Sequence, residues 1–269
     1  MTDTRAEFAR LHEAGCFVMP NPWDAGSARY LQTLGFKALA STSAGMAWAM
    51  GRPDGGVSVD EVLEHLRMLV GATSLPVNAD FENGFADAPE GVAANVARAA
   101  ATGVAGLSVE DFTGDWDKGL YDFDLAVERV AAARQAAGPD VVLTARSEGF
   151  IRRRPDLEET IRRLVAFSEA GADCLYAPGL TEDGQIRAVV EAVAPKAINV
   201  LAISRPVSEL AALGVRRVSI GSGLASAAWG EFIRAAKDIA ENGSFAAFAR
   251  GVGGRELNPV FAATRPRSS

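Results

Sequence analysis

Pro76-Val77-Asn78-Ala79-Asp80-Phe81-Glu82-Asn83-Gly84-Phe85 begins as a buried strand and ends in two carboxylates and a glycine. Asp80 and Glu82 lie two residues apart, which on an extended backbone puts both side chains on one face. An apolar run that turns abruptly acidic and then breaks at Gly84 reads as a strand whose C-terminal tip opens into a site.

The same unit recurs on both sides of this stretch. Short strands are expected at 16–20, 36–40, 76–80, 105–109, 141–145, 173–177, 198–202 and 217–220. Helical patterns lie between them. Asp24 can cap a helix that Gly35 stops, and Ser58 with Glu61 forms a capping box for a helix through Ala72. Further helices are expected at 4–14, 89–102, 123–137, 156–170 and 182–193, with a short one ending at Leu213. Eight strands each followed by a helix imply parallel pairing and closure into one (β/α)8 TIM-type barrel, a fold that takes ~250 residues. With no composition break, residues 1–269 form a single domain, with extra helices at about 224–241 and 244–252 before a Pro- and Arg-containing tail.

Hydrophobic residues make up 48% of the chain, enough for a large core, and the net charge of −7 argues against nucleic-acid or anionic-membrane partners. Arg152-Arg153-Arg154 is the one basic cluster and is expected to be a solvated loop. No run of ~20 uncharged apolar residues exists and the polar N-terminus has no apolar leader, so a cytoplasmic protein is expected. Cys16 and Cys174 match no metal or disulfide spacing, and Cys174 reads as a small core residue. His12 and His65 both fall in helical patterns, away from strand tips, which disfavours a histidine triad or zinc centre.

Active sites of such barrels sit at the C-terminal strand ends. Here the second strand ends in Ser41-Thr42-Ser43, the third in Asp80 and Glu82, the fourth in Glu110 and Asp111, and the fifth in Arg146 and Glu148. Read singly, the acids are equally turn formers or solvated rim charges, and Arg146–Glu148 an ordinary ion pair. Clustered carboxylates repel, however, and a hard divalent cation resolves the repulsion; oxygen-only ligands suit Mg2+, with Mn2+ the alternative. Arg146 is a natural fork for a substrate carboxylate, and the small residues at 41–45 let backbone N–H groups approach a substrate oxygen. Gly221-Ser222-Gly223 carries no adjacent Lys or Arg in the turn and reads as a tight turn rather than a phosphate cradle.

The ordered set Ser41-Thr42-Ser43-Ala44-Gly45 with Gly51-Arg52-Pro53-Asp54, then Asn78-Ala79-Asp80-Phe81-Glu82-Asn83-Gly84, Val109-Glu110-Asp111 and Ala145-Arg146-Ser147-Glu148-Gly149-Phe150 resembles the isocitrate lyase/phosphoenolpyruvate mutase superfamily over residues 16–225. The resemblance implies a Mg2+-dependent barrel acting on 2-oxo or 2-hydroxy carboxylates. It implies that Asp80 binds the metal directly, with Glu82 and Glu110 reaching it through water. Arg146 would clamp the substrate carboxylate, Ser41, Thr42, Ser43 and Ala44 would contact the pyruvyl-like part with Glu148 alongside, and Asp54 would lie near the reacting carbon. It further implies a homotetramer in which a terminal helix is exchanged between subunits. The catalytic-cysteine loop of isocitrate and methylisocitrate lyases has no counterpart: its place holds Thr113-Gly114-Asp115-Trp116-Asp117-Lys118-Gly119. Gly179 stands about where tricarboxylate lyases keep a substrate-binding Glu, which points to a smaller acid.

The expected function is therefore Mg2+-dependent cleavage of a C–C bond in a small 2-oxo or 2-hydroxy (di)carboxylic acid through an enolate. Loop 112–122 would serve as a lid, and Lys118, Tyr121 or a metal water would supply the proton. The alternatives are P–C chemistry on phosphonopyruvate, oxaloacetate decarboxylation or hydrolysis, and a non-catalytic 2-oxo acid sensor.

Overall fold

A computed structural model describes residues 3–202 and 204–263. Eight strands form one parallel sheet: β1 (Phe17–Met19), β2 (Leu39–Ala40), β3 (Val77–Asp80), β4 (Gly106–Glu110), β5 (Val142–Arg146), β6 (Cys174–Tyr176), β7 (Ala197–Leu201) and β8 (Arg217–Ser219). The sheet runs β1-β8-β7-β6-β5-β4-β3-β2. The seam between β1 and β2 is drawn together by Ala40 N–H donating to the Pro20 carbonyl at 3.0 Å and by the Asn21 amide donating to the Ser41 carbonyl at 2.8 Å. The result is the nearly closed TIM-type barrel expected.

The helices are α1 (Thr4–Leu11), α2 (Ala25–Thr33), α3 (Ser43–Ala49), α4 (Val59–Ala72), α5 (Pro89–Ala100), α6 (Phe123–Ala137), α7 (Leu157–Glu169), α8 (Asp183–Val193), α9 (Val207–Ala212), α10 (Gly223–Asn242) and α11 (Gly254–Ala263), with a 3-10 turn at Ala246–Arg250. Ser58 and Glu61 close the capping box read in the sequence, and α4 then buries Val62, Leu63, Leu66 and Leu69 on one stripe. Two helices went unread. Residues 43–49, expected as an open tip, wind into α3 because Thr42 accepts the Gly45 N–H at 3.3 Å and starts a turn. The tail also folds, into α11, despite Pro259 inside it; its last residues, 264–269, lie outside the described residues.

Strand alternation sorts side chains between two environments. Leu107, Leu143, Leu175, Val200 and Val218 join the core under the helices. The alternate positions face the barrel interior, where Asn78, Ser108, Thr144, Asn199, Arg217 and Ser219 make an unusually polar column. Phe8 of α1 plugs the lower end. Gly106 is required there, because a Cβ would come within 2.6 Å of the Phe8 ring and 2.8 Å of Asn78 Oδ1.

His12 closes α1 at this lower end. Its Nδ1 lies 2.8 Å from the Phe8 carbonyl and its Nε2 3.2 Å from Arg217 Nη1. A carbonyl only accepts and a guanidinium only donates, so the neutral Nδ1–H tautomer satisfies both. Burial and the Arg217 charge push its pKa down to about 3. The unfolded chain then binds a proton that the folded chain refuses, so the contribution of His12 is intact above about pH 6.5 and is lost as pH falls toward 3, by up to about 1.4 kcal/mol per pH unit. His12→Gln should lose less stability between pH 6.5 and 4 than the wild type, although the lost ring contacts lower its stability at neutral pH; urea unfolding across that range checks this.

Of the long helix α10, only Ala225 is fully buried, and Trp229, Phe232 and Ile233 point outward. Among the described residues, no helix is long and apolar enough to cross a membrane.

Candidate active site

The rim is set by the turn after β3. Asp80 is the last strand residue, and Glu82 already sits at φ 45°, with Phe85 at 56°. Left-handed backbone at non-glycine residues is strained and needs support. Arg129 of α6 supplies it: this buried guanidinium donates to the carbonyls of Asn83, Ala86 and Asp87 and stacks on Tyr121. Glu82 and Asp80 are thus neighbours because of a pinned turn. The extended spacing read in the sequence does not hold beyond Asp80.

Arg146, at the tip of β5, is the hub. Its Nη1 lies 2.7 Å from Asp80, and its Nη2 lies 3.2 Å from Glu110 and 2.8 Å from Glu148. Glu148 is completely buried behind it and touches neither cavity described below, so it holds Arg146 rather than facing a ligand. Burial and the neighbouring Glu148 and Asp80 push the Glu110 carboxyl well above the ordinary range. Asp111, also buried and pushed up to about 6 by desolvation, accepts the Glu148 N–H at 2.8 Å and pairs with Arg163 of α7 at 3.2 Å.

Two cavities meet at this hub. The inner one, about 170 Å³, is walled by Ser41–Ala44, Asp54, Asp80 and Arg146 and reaches down to Arg217 in the barrel interior. The outer one, about 370 Å³, is walled by Glu82, Glu110, Asn83, Phe112, Trp116 and Arg152. Ser43, Asp54, Arg146 and Ile151 border both. In the present arrangement Ser43 N–H donates to Asp80 Oδ2 at 3.0 Å, and the Ser41 hydroxyl accepts the Asp80 N–H at 2.8 Å. Ser41 and Ser43 therefore orient Asp80 as well as wall the cavity.

Arg152 corrects the reading of the basic cluster. Arg153 and Arg154 are exposed, but Arg152 lies under loop 112–121, 3.9 Å above the Phe112 ring and 5.2 Å from that of Trp116. Its Nη2 stands 3.2 Å from Glu148 and 3.4 Å from Glu110. The buried acids draw it inward, a long-range effect that a run of three arginines does not disclose. Because this stacking holds the loop down, Arg152→Ala should increase tryptic cleavage after the exposed Lys118 several-fold; timed proteolysis with mass spectrometry reads it.

The two proton-donor candidates fall elsewhere. Lys118 Nζ is 4.0 Å from Asp115 on the outer face of the loop, 71% exposed, and walls neither cavity. The Tyr121 hydroxyl donates to Asp87 at 2.6 Å, accepts from Asn83 at 3.3 Å and, largely through burial, is pushed up to about 12. It braces the β3 turn.

Among the described residues no three carboxylate, histidine or cysteine side chains stand grouped as a metal cage; Arg146 is wedged among the acids. The donor set nevertheless fits a hard cation. Its donors are carboxylate oxygens alone, and burial with Asp80 and Asp54 nearby pushes Glu82 up to about 7. Mg2+ needs only one or two carboxylates and keeps several waters.

Residues 8–240 match the family described as phosphoenolpyruvate phosphomutase. The chain belongs to this family. A solved structure of a candidate lyase/mutase from Burkholderia cenocepacia J2315 is 48% identical and superposes with a TM-score of 0.92, covering 96% of this chain and 95% of that one. The structure of 2,3-dimethylmalate lyase, a member of the PEP mutase/isocitrate lyase superfamily, is 26% identical with a TM-score of 0.83, covering 97% and 95%. The 2-methylisocitrate lyase of Escherichia coli K12 is 32% identical over 63% of this chain and 60% of its own. Phosphoenolpyruvate mutase-type barrels include lyases, mutases and hydrolases of small carboxylates. In this phosphoenolpyruvate mutase-type barrel Gly179 has φ 95°, and a Cβ there would fall 2.8 Å from Ile151. Ile151 therefore takes the wall space a larger residue would need.

Proposed function

We propose that this chain is a Mg2+-dependent lyase that cleaves a C–C bond in a small 2-oxo or 2-hydroxy (di)carboxylic acid and leaves an enolate. The observation that carries the reading is the acid rim of Asp80, Glu82 and Glu110 around Arg146, opening on a cavity sized for a small acid. Resemblance to 2,3-dimethylmalate and 2-methylisocitrate lyases supports C–C cleavage, while a 36% identical structure of a candidate phosphonomutase from Burkholderia cenocepacia J2315 keeps P–C chemistry as the second reading.

Asp80 would hold Mg2+ directly and Glu82 and Glu110 through water, where the ion supplies Lewis-acid stabilisation of charge developing on the substrate 2-oxygen. Arg146 Nη1 donates to Asp80 alone and keeps a second N–H for a substrate carboxylate. Residues 42–44 wall the cavity with small side chains and let the substrate approach the backbone. Asp54 borders both cavities and forms no ion pair among the described residues, which suits it to take the hydroxyl proton as the C–C bond breaks and to return a proton to the enolate carbon. Loop 112–121, held by Thr113–Gly119 hydrogen bonds at 2.8 and 2.9 Å, covers the outer cavity and limits water. The exposed apolar face of α10 supports exchange of the C-terminal helices, 224–252, within a homotetramer.

A panel of 2-oxo, malate-type and phosphonate acids incubated with Mg2+ tests the reading. Release of a 2-oxo acid from a malate-type substrate is the expected result. Phosphate release from phosphonopyruvate alone would overturn it in favour of P–C chemistry, and tight binding without product over hours would favour a sensor.

A further inference from the structure

The inner cavity has a floor that the proposed chemistry does not use. Arg217, the first residue of β8, is 2% exposed and walls the cavity from below. Its Nε donates to Asn199 Oδ1 at 2.9 Å, Nη2 to Thr144 Oγ1 at 2.9 Å, and Nη1 to the neutral His12 at 3.2 Å. All three partners are uncharged. Among the described residues no carboxylate pairs with Arg217, whereas Arg146 has three and Arg163 has two. Burial pushes the nearby Cys174 thiol up and the Tyr176 phenol up to about 12, so neither provides an anion at neutral pH. A guanidinium stays charged in proteins, and a buried charge without a counter-charge is strongly unfavourable.

We infer that Arg217 is the anchor for a second carboxylate of the substrate, which enters the inner cavity end-on, one carboxylate at the Arg146 rim and the other in the barrel interior. This rests on the reading of the site as one for 2-oxo or 2-hydroxy acids and names the substrate class as diacids. Thr144, which Arg217 touches, and Arg146 lie on one face of β5 two residues apart, so Arg217 sits one layer below Arg146 and the inner cavity runs between them.

Calorimetry with Mg2+ and three probes tests this: malate, 2-hydroxybutyrate, which replaces the distal carboxylate by a methyl group, and succinate, which lacks the 2-oxygen. The wild type should bind malate at least about tenfold tighter than 2-hydroxybutyrate. Asn199→Asp supplies Arg217 with its own carboxylate in nearly the same shape and should bring the ratio close to one by weakening malate alone. Arg217→Gln should do the same; if it does not fold, Asn199→Asp still decides. Equal binding of malate and 2-hydroxybutyrate by the wild type, or a ratio that survives Asn199→Asp, would overturn the floor and leave the proposed function standing. Succinate binding that Asn199→Asp abolishes, with no binding of either hydroxy acid, would support the floor and overturn the 2-hydroxy acid reading. Silence from all three probes would overturn both the floor and the 2-hydroxy acid reading.

Discussion

Asp80→Asn is expected to lower Mg2+-dependent turnover by at least about 10²–10³-fold without unfolding the barrel. Of Asp80, Glu82 and Glu110, Asp80 lines the inner cavity, accepts a backbone N–H from Ser43 and touches Arg146, so its charge lies where metal and substrate would meet. Asparagine keeps the shape and one acceptor but loses the anion. Its side chain is 21% exposed, so the folded state pays little for the change. Thermal melting and steady-state assays on the same preparation separate the two effects; a melting point close to wild type with normal turnover would remove Asp80 from the metal role.

The second large effect is on stability. Arg146→Ala should destabilise the protein by about 3–5 kcal/mol and abolish activity. The side chain is only 13% exposed and pairs with Asp80, Glu110 and Glu148 at once. Without it, Glu148 keeps only Arg152 at 3.2 Å, and Glu110 only Arg152 at 3.4 Å. Arg146→Lys should recover part of the stability through its charge and little of the activity, because an ammonium cannot reproduce the guanidinium fork. Urea unfolding of the two variants reads the difference. If Arg146→Ala cost less than about 1 kcal/mol, the hub assignment would be wrong.

The barrel was legible because each β/α unit carries its own local signals: an apolar strand, a capping residue and a terminating glycine. The Ser58–Glu61 box and the Gly35 stop are examples, and the rim acids at Asp80 and Glu110 followed from strand ends. Residues whose roles depend on packing across the chain left weaker marks. Arg129 supports a turn some 43 residues earlier, and Arg163 reaches Asp111 across 52. Arg152 looked like one of three surface arginines until the buried acids above it were in place. Arg217 did leave a trace. It is a charge inside the short strand Arg217-Val218-Ser219, at the alternation phase that faces inward, and a charge there needs a partner or a ligand. Glu82 shows the opposite case: the two-residue spacing to Asp80 implies an extended backbone, but the chain leaves the strand after Asp80 and Glu82 sits at φ 45°.

Oxalate binding tests the central claim most directly, because the oxalate dianion is planar like the enolate of a 2-oxo acid and no turnover is needed. In calorimetry, the wild type should bind oxalate tightly with Mg2+, and chelating the metal or introducing Asp80→Asn should weaken binding by at least about tenfold. Oxalate affinity that is unchanged without Mg2+ and unchanged in Asp80→Asn would contradict a metal-assisted enolate site at the tip of β3.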